Sequence, residues 1–147
     1  MERDKPTHVI KIMGPEKARA AASPLFAASV PAGFPSPADD YIEGPLDLNR
    51  HLIKHPAATF FVRVSGDSMT AAGIHDGDLL VVDRSVEPRD GSIVIAALDG
   101  ELTVKRIRLR GDRLELVPEN LDYPTRTVAG ESAFQVWGVV VHAIHTF

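Results

Sequence analysis

Residues 92–107 read SIVIAALDGELTVKRI, and this stretch decides the fold class. Two apolar runs, 92–98 and 101–107, stand on either side of the pair Asp99-Gly100. An Asp-Gly pair between two β-prone runs is a strong signal for a two-residue hairpin. The stretch therefore predicts two antiparallel strands.

Further short strands are expected on both sides of this hairpin. Valine, isoleucine and phenylalanine are frequent in the runs 59–64, 79–82, 113–117 and 134–144, and turn residues separate these runs. Many short strands at close spacing predict a mainly β fold, a folded antiparallel sheet or partial barrel. One short helix is expected over 47–53, because Asp47 can cap its first turn and a proline follows it.

The N-terminal part of the chain has a different composition. Seven of the 11 prolines lie within the first 45 residues. Each proline fixes its own φ and removes a backbone donor, so regular helix or sheet is expected to be short there. We predict an N-terminal arm over residues 1–44 and a β-rich domain over residues 45–147.

Composition excludes several functional classes. The 147-residue chain has a net charge of −4 and contains no cysteine. Nonspecific DNA binding draws on clustered positive charge, so no direct nucleic-acid contact is expected. Disulfides and thiolate metal sites are excluded. No apolar run approaches the roughly 20 residues of a membrane-spanning helix, and the N-terminus does not read as a secretory signal. The expectation is a cytoplasmic protein without membrane contact.

A candidate nucleophile follows the predicted strand 59–64. Residues 65–69 read SGDSM, which puts Ser68 on a tight turn next to Gly66. Such a turn can present a hydroxyl and direct backbone amides toward a developing oxyanion. The same turn without catalysis is common in β proteins, and the motif lacks the second glycine of the hydrolase nucleophile elbow. The motif alone therefore favours the non-catalytic interpretation.

Lys105 is the candidate base. It lies in the predicted strand 101–107, on the same face as Thr103 and Ile107 by the period of two. Burial beside apolar residues would lower the pKa of the lysine and free its amine to accept a proton. The alternative is an exposed lysine on a solvated face, which periodicity alone favours. Ser68 and Lys105 together suggest a serine–lysine dyad, a variant of the serine–histidine–aspartate arrangement.

The histidines are weaker candidates. His51 and His55 lie four residues apart, a spacing that can hold a metal, but no convincing third ligand accompanies them. Neither a metal site nor a cofactor is expected.

Several stretches resemble one known family, the UmuD branch of the LexA-type self-cleaving serine peptidases. They occur in the family's order between residues 34 and 144 and read FPSPA (34–38), DLN (47–49), HPAAT (55–59), SGDSM (65–69), DGDLLVVD (76–83), GSIVIAA (91–97) and WGVVVH (137–142). The resemblance implies the β-rich LexA/UmuD catalytic domain, with Ser68 as nucleophile and Lys105 as general base. It also implies an oxyanion hole of backbone amides at Asp67 and Ser68.

The resemblance further implies self-cleavage at Ala32–Gly33, in the proline-rich arm. In the family, a RecA filament on single-stranded DNA stimulates the cut during the SOS DNA-damage response. The cut activates the protein, a homodimer, as a subunit of an error-prone translesion polymerase whose catalytic partner is of the UmuC type. The implied partners are therefore a second copy of the chain, the filament and the polymerase.

Three other functions compete with this one. A dimeric accessory module of the same fold would bind the polymerase without cutting. A LexA-type or phage-type repressor would need a helix-turn-helix domain, which 44 proline-rich residues cannot supply. A signal-peptidase-like enzyme would also use a Ser-Met pair and a distant lysine, but it would need a membrane anchor.

Overall fold

The computed structural model describes residues 6–14, 22–26, 42–128 and 134–147. The predicted cleavage site Ala32–Gly33 lies outside these residues. Two compact units divide the chain, one formed by Met1–Pro15 and His55–Phe147 and the other by Glu16–Lys54. Strand β1, inside the predicted arm, thus belongs to the same unit as the predicted domain. Within the described residues, no helix is long and apolar enough to cross a membrane.

The elements of the larger unit are short antiparallel strands. They are β1 (His8–Met13), β4 (Thr59–Ser65), β5 (Leu79–Asp83), β6 (Ile93–Leu98), β7 (Glu101–Arg110), β8 (Arg113–Val117), β9 (Arg126–Val128) and β10 (Phe134–Ile144), with 3-10 turns at Pro56–Ala58 and Thr70–Ala72. The six strands expected from the sequence are all present. Strands β1 and β9 were not predicted.

The smaller unit contains β2 (Ala22–Phe26), β3 (Ile42–Asp47) and helix α1 (Leu48–Leu52). The predicted helix is confirmed, and the Asp47 side chain caps it by accepting a hydrogen bond from the Asn49 N–H at 3.0 Å. Strands β2 and β3 form an antiparallel pair in which Pro24 lies opposite Pro45. The two strands have only five and six residues, in keeping with the short regular structure expected there, and their prolines are tolerated because both are edge strands of a two-stranded sheet.

The larger unit is a closed barrel. Its sheet runs in the order β1-β4-β5-β10-β6-β7-β8-β9, and a second pairing of β1 with β7 closes the first six strands into a ring. Strands β8 and β9 extend the sheet beyond β7. The predicted mainly β fold of the LexA/UmuD type is therefore confirmed, with the barrel complete rather than partial.

The Asp99-Gly100 hairpin is present as predicted. It joins β6 to β7, with Leu98 opposite Glu101. Asp99 and Gly100 both have positive φ, 49° and 83°. Positive φ at both central residues is the geometry of the type I′ turn that an Asp-Gly pair favours.

Apolar side chains on the two faces of the sheet form two clusters. One contains Val62, Val64, Met69, Ile74, Leu80, Val82, Ile95 and Val104. The other contains Val94, Ala96, Ile107 and Val139. Successive residues of β6 alternate between the clusters, as the period of two in a strand requires. Both faces of β6 and β7 are thus covered.

Candidate active site

The turn that carries Ser68 is fixed at both ends. Gly66 has a φ of 104°, in the region that favours glycine, and its N–H donates to Asp76 Oδ1 at 2.8 Å. Met69 is fully buried in the first apolar cluster. Ser68 lies between these anchors and is itself fully buried. The hydroxyl is therefore directed inward, against the barrel.

A loop after β8 holds the same turn from the other side. Tyr123 Oη donates to Asp67 Oδ1 at 2.6 Å, and Asn120 Nδ2 donates to the Asp67 carbonyl at 2.9 Å. The Ala71 N–H donates to the Glu119 carbonyl at 2.8 Å. These contacts join residues more than 45 positions apart in the chain, and sequence reasoning missed them because a polar loop carries no periodic signal.

The contact from Asn120 fixes the orientation of one peptide plane. In a planar trans peptide the C=O and the following N–H point in opposite directions. Because Asn120 holds the Asp67 carbonyl, the Ser68 N–H points away from Asn120. Within the described part of the chain, this N–H donates no hydrogen bond. It is available to a ligand oxygen.

Lys105 lies on β7 in a half-buried position. It is opposite Val94 in the register, and Thr103 is opposite Ala96, so all four side chains lie on one face. Loss of hydration lowers the pKa of Lys105 below its usual value of 10.5. No acidic side chain of the described residues forms an ion pair with it. The sequence alone left open whether Lys105 is buried or exposed, and the structure shows it half-buried. The loss of hydration favours the neutral amine over the ammonium form.

A cavity of about 490 Å³ adjoins Lys105. Its lining includes Pro6, Glu101, Thr103, Lys105 and Tyr123. It therefore combines residues of β7, of the loop that holds the Ser68 turn and of the segment before β1. The cavity is large enough for several side chains of a peptide.

One residue joins the two candidate segments. The Thr7 N–H donates to Ser68 Oγ at 2.8 Å. The Thr7 carbonyl accepts from the Val104 N–H at 3.2 Å and from Thr103 Oγ1 at 3.0 Å. Thr7 therefore contacts both Ser68 and the strand that carries Lys105. No hydrogen bond links Ser68 directly to Lys105 among the residues that the structure describes.

Two histidines form pairs with buried carboxylates. His55 Nδ1 lies 2.6 Å from Asp83 Oδ2, and His145 Nδ1 lies 2.6 Å from Asp78 Oδ1. Burial alone would raise the pKa of Asp83, but hydrogen bonds from Ser85 and His55 outweigh it and lower that pKa. Across the described ranges, no group of three or more histidine, aspartate or glutamate residues could hold a metal ion.

The closed antiparallel barrel thus carries the turn of Ser68 and the strand of the half-buried Lys105, both in contact with Thr7. In comparison with known proteins, residues 24–141 match the family described as Peptidase S24-like. The chain belongs to this peptidase family, among its UmuD-type members.

Relatives of high identity cover most of the chain. The chain is similar to Protein SamA of Salmonella typhimurium, with 53% identity over 85% of this chain and 86% of SamA. It is 55% identical to Protein ImpA of Escherichia coli over 83% of each chain. It is 45% identical to Protein MucA of Escherichia coli over 86% of each chain.

Proposed function

We propose that this chain is a self-cleaving serine peptidase of the SOS DNA-damage response, with Ser68 as nucleophile and Lys105 as general base. The observation that carries the proposal is the lowered pKa of Lys105 on β7. On the same strand Thr103 contacts Thr7, and Thr7 in turn contacts Ser68. Membership of the S24-like family supports the same chemistry.

The reaction begins with proton transfer. Neutral Lys105 accepts the proton of the Ser68 hydroxyl, and Ser68 Oγ attacks the carbonyl carbon of Ala32. The Ala32–Gly33 bond breaks as the new amino group of Gly33 takes that proton from Lys105. A water molecule then attacks the acyl-enzyme, Lys105 accepts its proton, and the carboxylate of Ala32 leaves while Ser68 recovers its hydrogen.

Backbone amides at Ser68 and Asp67 stabilise the oxyanion of each tetrahedral intermediate. Preorganised donors of this kind are often the largest single contribution to catalysis. Asn120 acts as a positioning residue, because its amide holds the Asp67 carbonyl and thereby directs the Ser68 N–H.

Replacing Asn120 by aspartate tests this positioning role. The variant keeps the side-chain oxygen that accepts from the Asp122 N–H, but it loses the donor to Asp67. We expect the maximal rate of self-cleavage to fall about tenfold to a hundredfold, since a misdirected oxyanion donor costs less than a deleted one. The measurement is the cleavage rate against pH.

The pH profile separates positioning from general disruption of the site. The rise of the rate with pH reports Lys105, so its midpoint should stay in place in Asn120→Asp while the plateau falls. Leu121→Ala is the matched control, because Leu121 lies in the same loop and is fully exposed. An unchanged plateau in Asn120→Asp would contradict the positioning role.

The biological setting follows from the same proposal. Self-cleavage is stimulated by a RecA filament on single-stranded DNA, which favours the cleavage-ready state without donating a catalytic group. The product, residues 33–147, acts as a homodimer with a UmuC-type polymerase in translesion synthesis in the cytoplasm. The similarity to SamA, ImpA and MucA supports a role within this group of proteins.

Intact-mass spectrometry tests the proposed function directly. Purified protein is incubated with and without RecA, single-stranded DNA and a nucleotide triphosphate. We expect a fragment that begins at Gly33 and forms faster with the filament. No fragment under any condition, alkaline pH included, would overturn the peptidase and favour the non-catalytic accessory module of the same fold.

A further inference from the structure

The closing strand of the barrel lies against the candidate nucleophile. Strand β1 pairs with β4 from His8 opposite Ser65 to Met13 opposite Phe61, and with β7 at His8 opposite Thr103. Thr7, directly before β1, is fully buried and donates to Ser68 Oγ. The chain's own N-terminal segment therefore fills the channel between β4 and β7.

This segment is held in a pose that cannot react. Because the Thr7 N–H points at Ser68 Oγ, the oxygen lies near the plane of the Pro6–Thr7 peptide. Attack on a carbonyl carbon comes from above or below that plane. In a trans peptide the Pro6 carbonyl points away from the Thr7 N–H, and here it contacts His8 Nδ1 at 2.9 Å. Ser68 Oγ thus faces the N–H of this peptide and not its carbonyl carbon.

His8 strengthens the same arrangement. The Pro6 carbonyl can only accept, so Nδ1 of His8 carries the proton. The other ring nitrogen, Nε2, is then free to accept from Ser65 Oγ at 3.1 Å. Thr7 and His8 are therefore attached to the two ends of the Ser65–Ser68 turn.

Main-chain contacts dominate the attachment of β1. Ile10 and Ile12 are 56% and 41% exposed, while Val9 packs against the first apolar cluster. Main-chain pairing accepts any extended segment. The hydroxyl of Thr7 is buried and has no hydrogen-bond partner among the described residues, which weakens the binding of this particular occupant.

We propose that the channel between β4 and β7 is a strand-binding site with two competing occupants. In the resting protein β1 and Thr7 fill it and block Ser68; for cleavage, the segment that carries Ala32–Gly33 replaces them. The proposal rests on the proposed peptidase function and adds its regulation. The observed rate is then the rate of the open form multiplied by its population.

Two substitutions at Thr7 test the proposal, because they should change the rate of self-cleavage in opposite directions. Thr7→Pro removes the N–H that contacts Ser68, so self-cleavage without filament should become about fivefold faster or more. Thr7→Val keeps the shape and removes the unpartnered hydroxyl, so self-cleavage should become about fivefold slower. Ile10→Val, on an exposed position of β1, is the matched control and should cleave at the wild-type rate.

A second readout follows the strand independently of chemistry. The Val104 N–H donates to the Thr7 carbonyl, so its hydrogen exchange reports whether Thr7 is in place. Exchange at Val104 should become faster in Thr7→Pro and slower in Thr7→Val. The amide of Val81, in the centre of β5, shows whether the rest of the barrel remains folded.

The outcomes separate this proposal from the peptidase itself. Faster self-cleavage of Thr7→Pro and slower self-cleavage of Thr7→Val support the block of Ser68 by Thr7, provided that hydrogen exchange at Val104 changes in the same direction. If wild type cleaves but Thr7→Pro cleaves at the same rate or more slowly while its Val104 exchange is faster, the block is overturned and the peptidase stands. If no variant cleaves, wild type included, the peptidase is overturned and the block with it.

Discussion

Self-cleavage is expected to disappear in Ser68→Ala and to fall by about a thousandfold or more in Lys105→Met. The first variant lacks the nucleophile, and the second lacks the group that accepts its proton. Removal of a general base typically costs about 10²–10⁴ in rate, and members of a dyad act as a unit. The measurement is the amount of Gly33-initiated fragment over time by intact-mass spectrometry, at a pH where wild type is fastest.

Two further variants show what Lys105 contributes. Lys105→Arg keeps the positive charge but cannot be deprotonated, so it should be as inactive as Lys105→Met if the lysine is a base. Lys54→Met removes an exposed lysine and should cleave like wild type. Melting temperatures control for folding, and Lys105→Met should be at least as stable as wild type because a half-buried charge is removed. An active Lys105→Arg variant would contradict the role of Lys105 as general base.

The rate of unassisted self-cleavage is expected to rise about tenfold per pH unit and then reach a plateau. Only the neutral amine of Lys105 can accept a proton, and below its pKa the neutral fraction grows tenfold per unit. Because loss of hydration lowers this pKa, the plateau should begin below pH 10.5. Raising the pH therefore accelerates the reaction only until Lys105 is fully neutral.

Rates measured from pH 6 to pH 11 check this profile. Ser68→Ala serves as the control for non-enzymatic hydrolysis at alkaline pH, and circular dichroism identifies the pH at which the protein unfolds. A flat profile, or a rise that continues unchanged past 10.5, would remove Lys105 from the role of base.

Local patterns predicted the strands of the barrel well. The hairpin at Asp99-Gly100 needs only the conformational preference of two residues, and the alternation along 101–107 places Thr103 and Lys105 on one face. The Ser68 turn was visible because Gly66 marks it. Each of these features depends on residues that are neighbours in the chain.

The missed features are contacts between distant residues. Strand β1 pairs with β4 and β7, but it lies in the proline-rich first 45 residues, between Pro6 and Pro15. Local composition therefore indicated an arm instead of a barrel strand. Asn120 and Tyr123 contact Asp67 across more than 50 positions. The burial of Lys105 depends on the same tertiary packing, which the period of two cannot distinguish from exposure.

The position of β1 in the chain determines what the proposed cut separates. β1 closes the barrel between β4 and β7, yet it precedes Ala32–Gly33 in the sequence. By the proposed exchange β1 has left the channel when the bond is cut. Once the bond is broken, β1 and β2 lie on a different molecule from the other strands, and the return of β1 becomes a bimolecular equilibrium. Dilution then keeps the peptide that contains β1 from binding again. Hydrolysis therefore turns a reversible displacement of β1 into a lasting one.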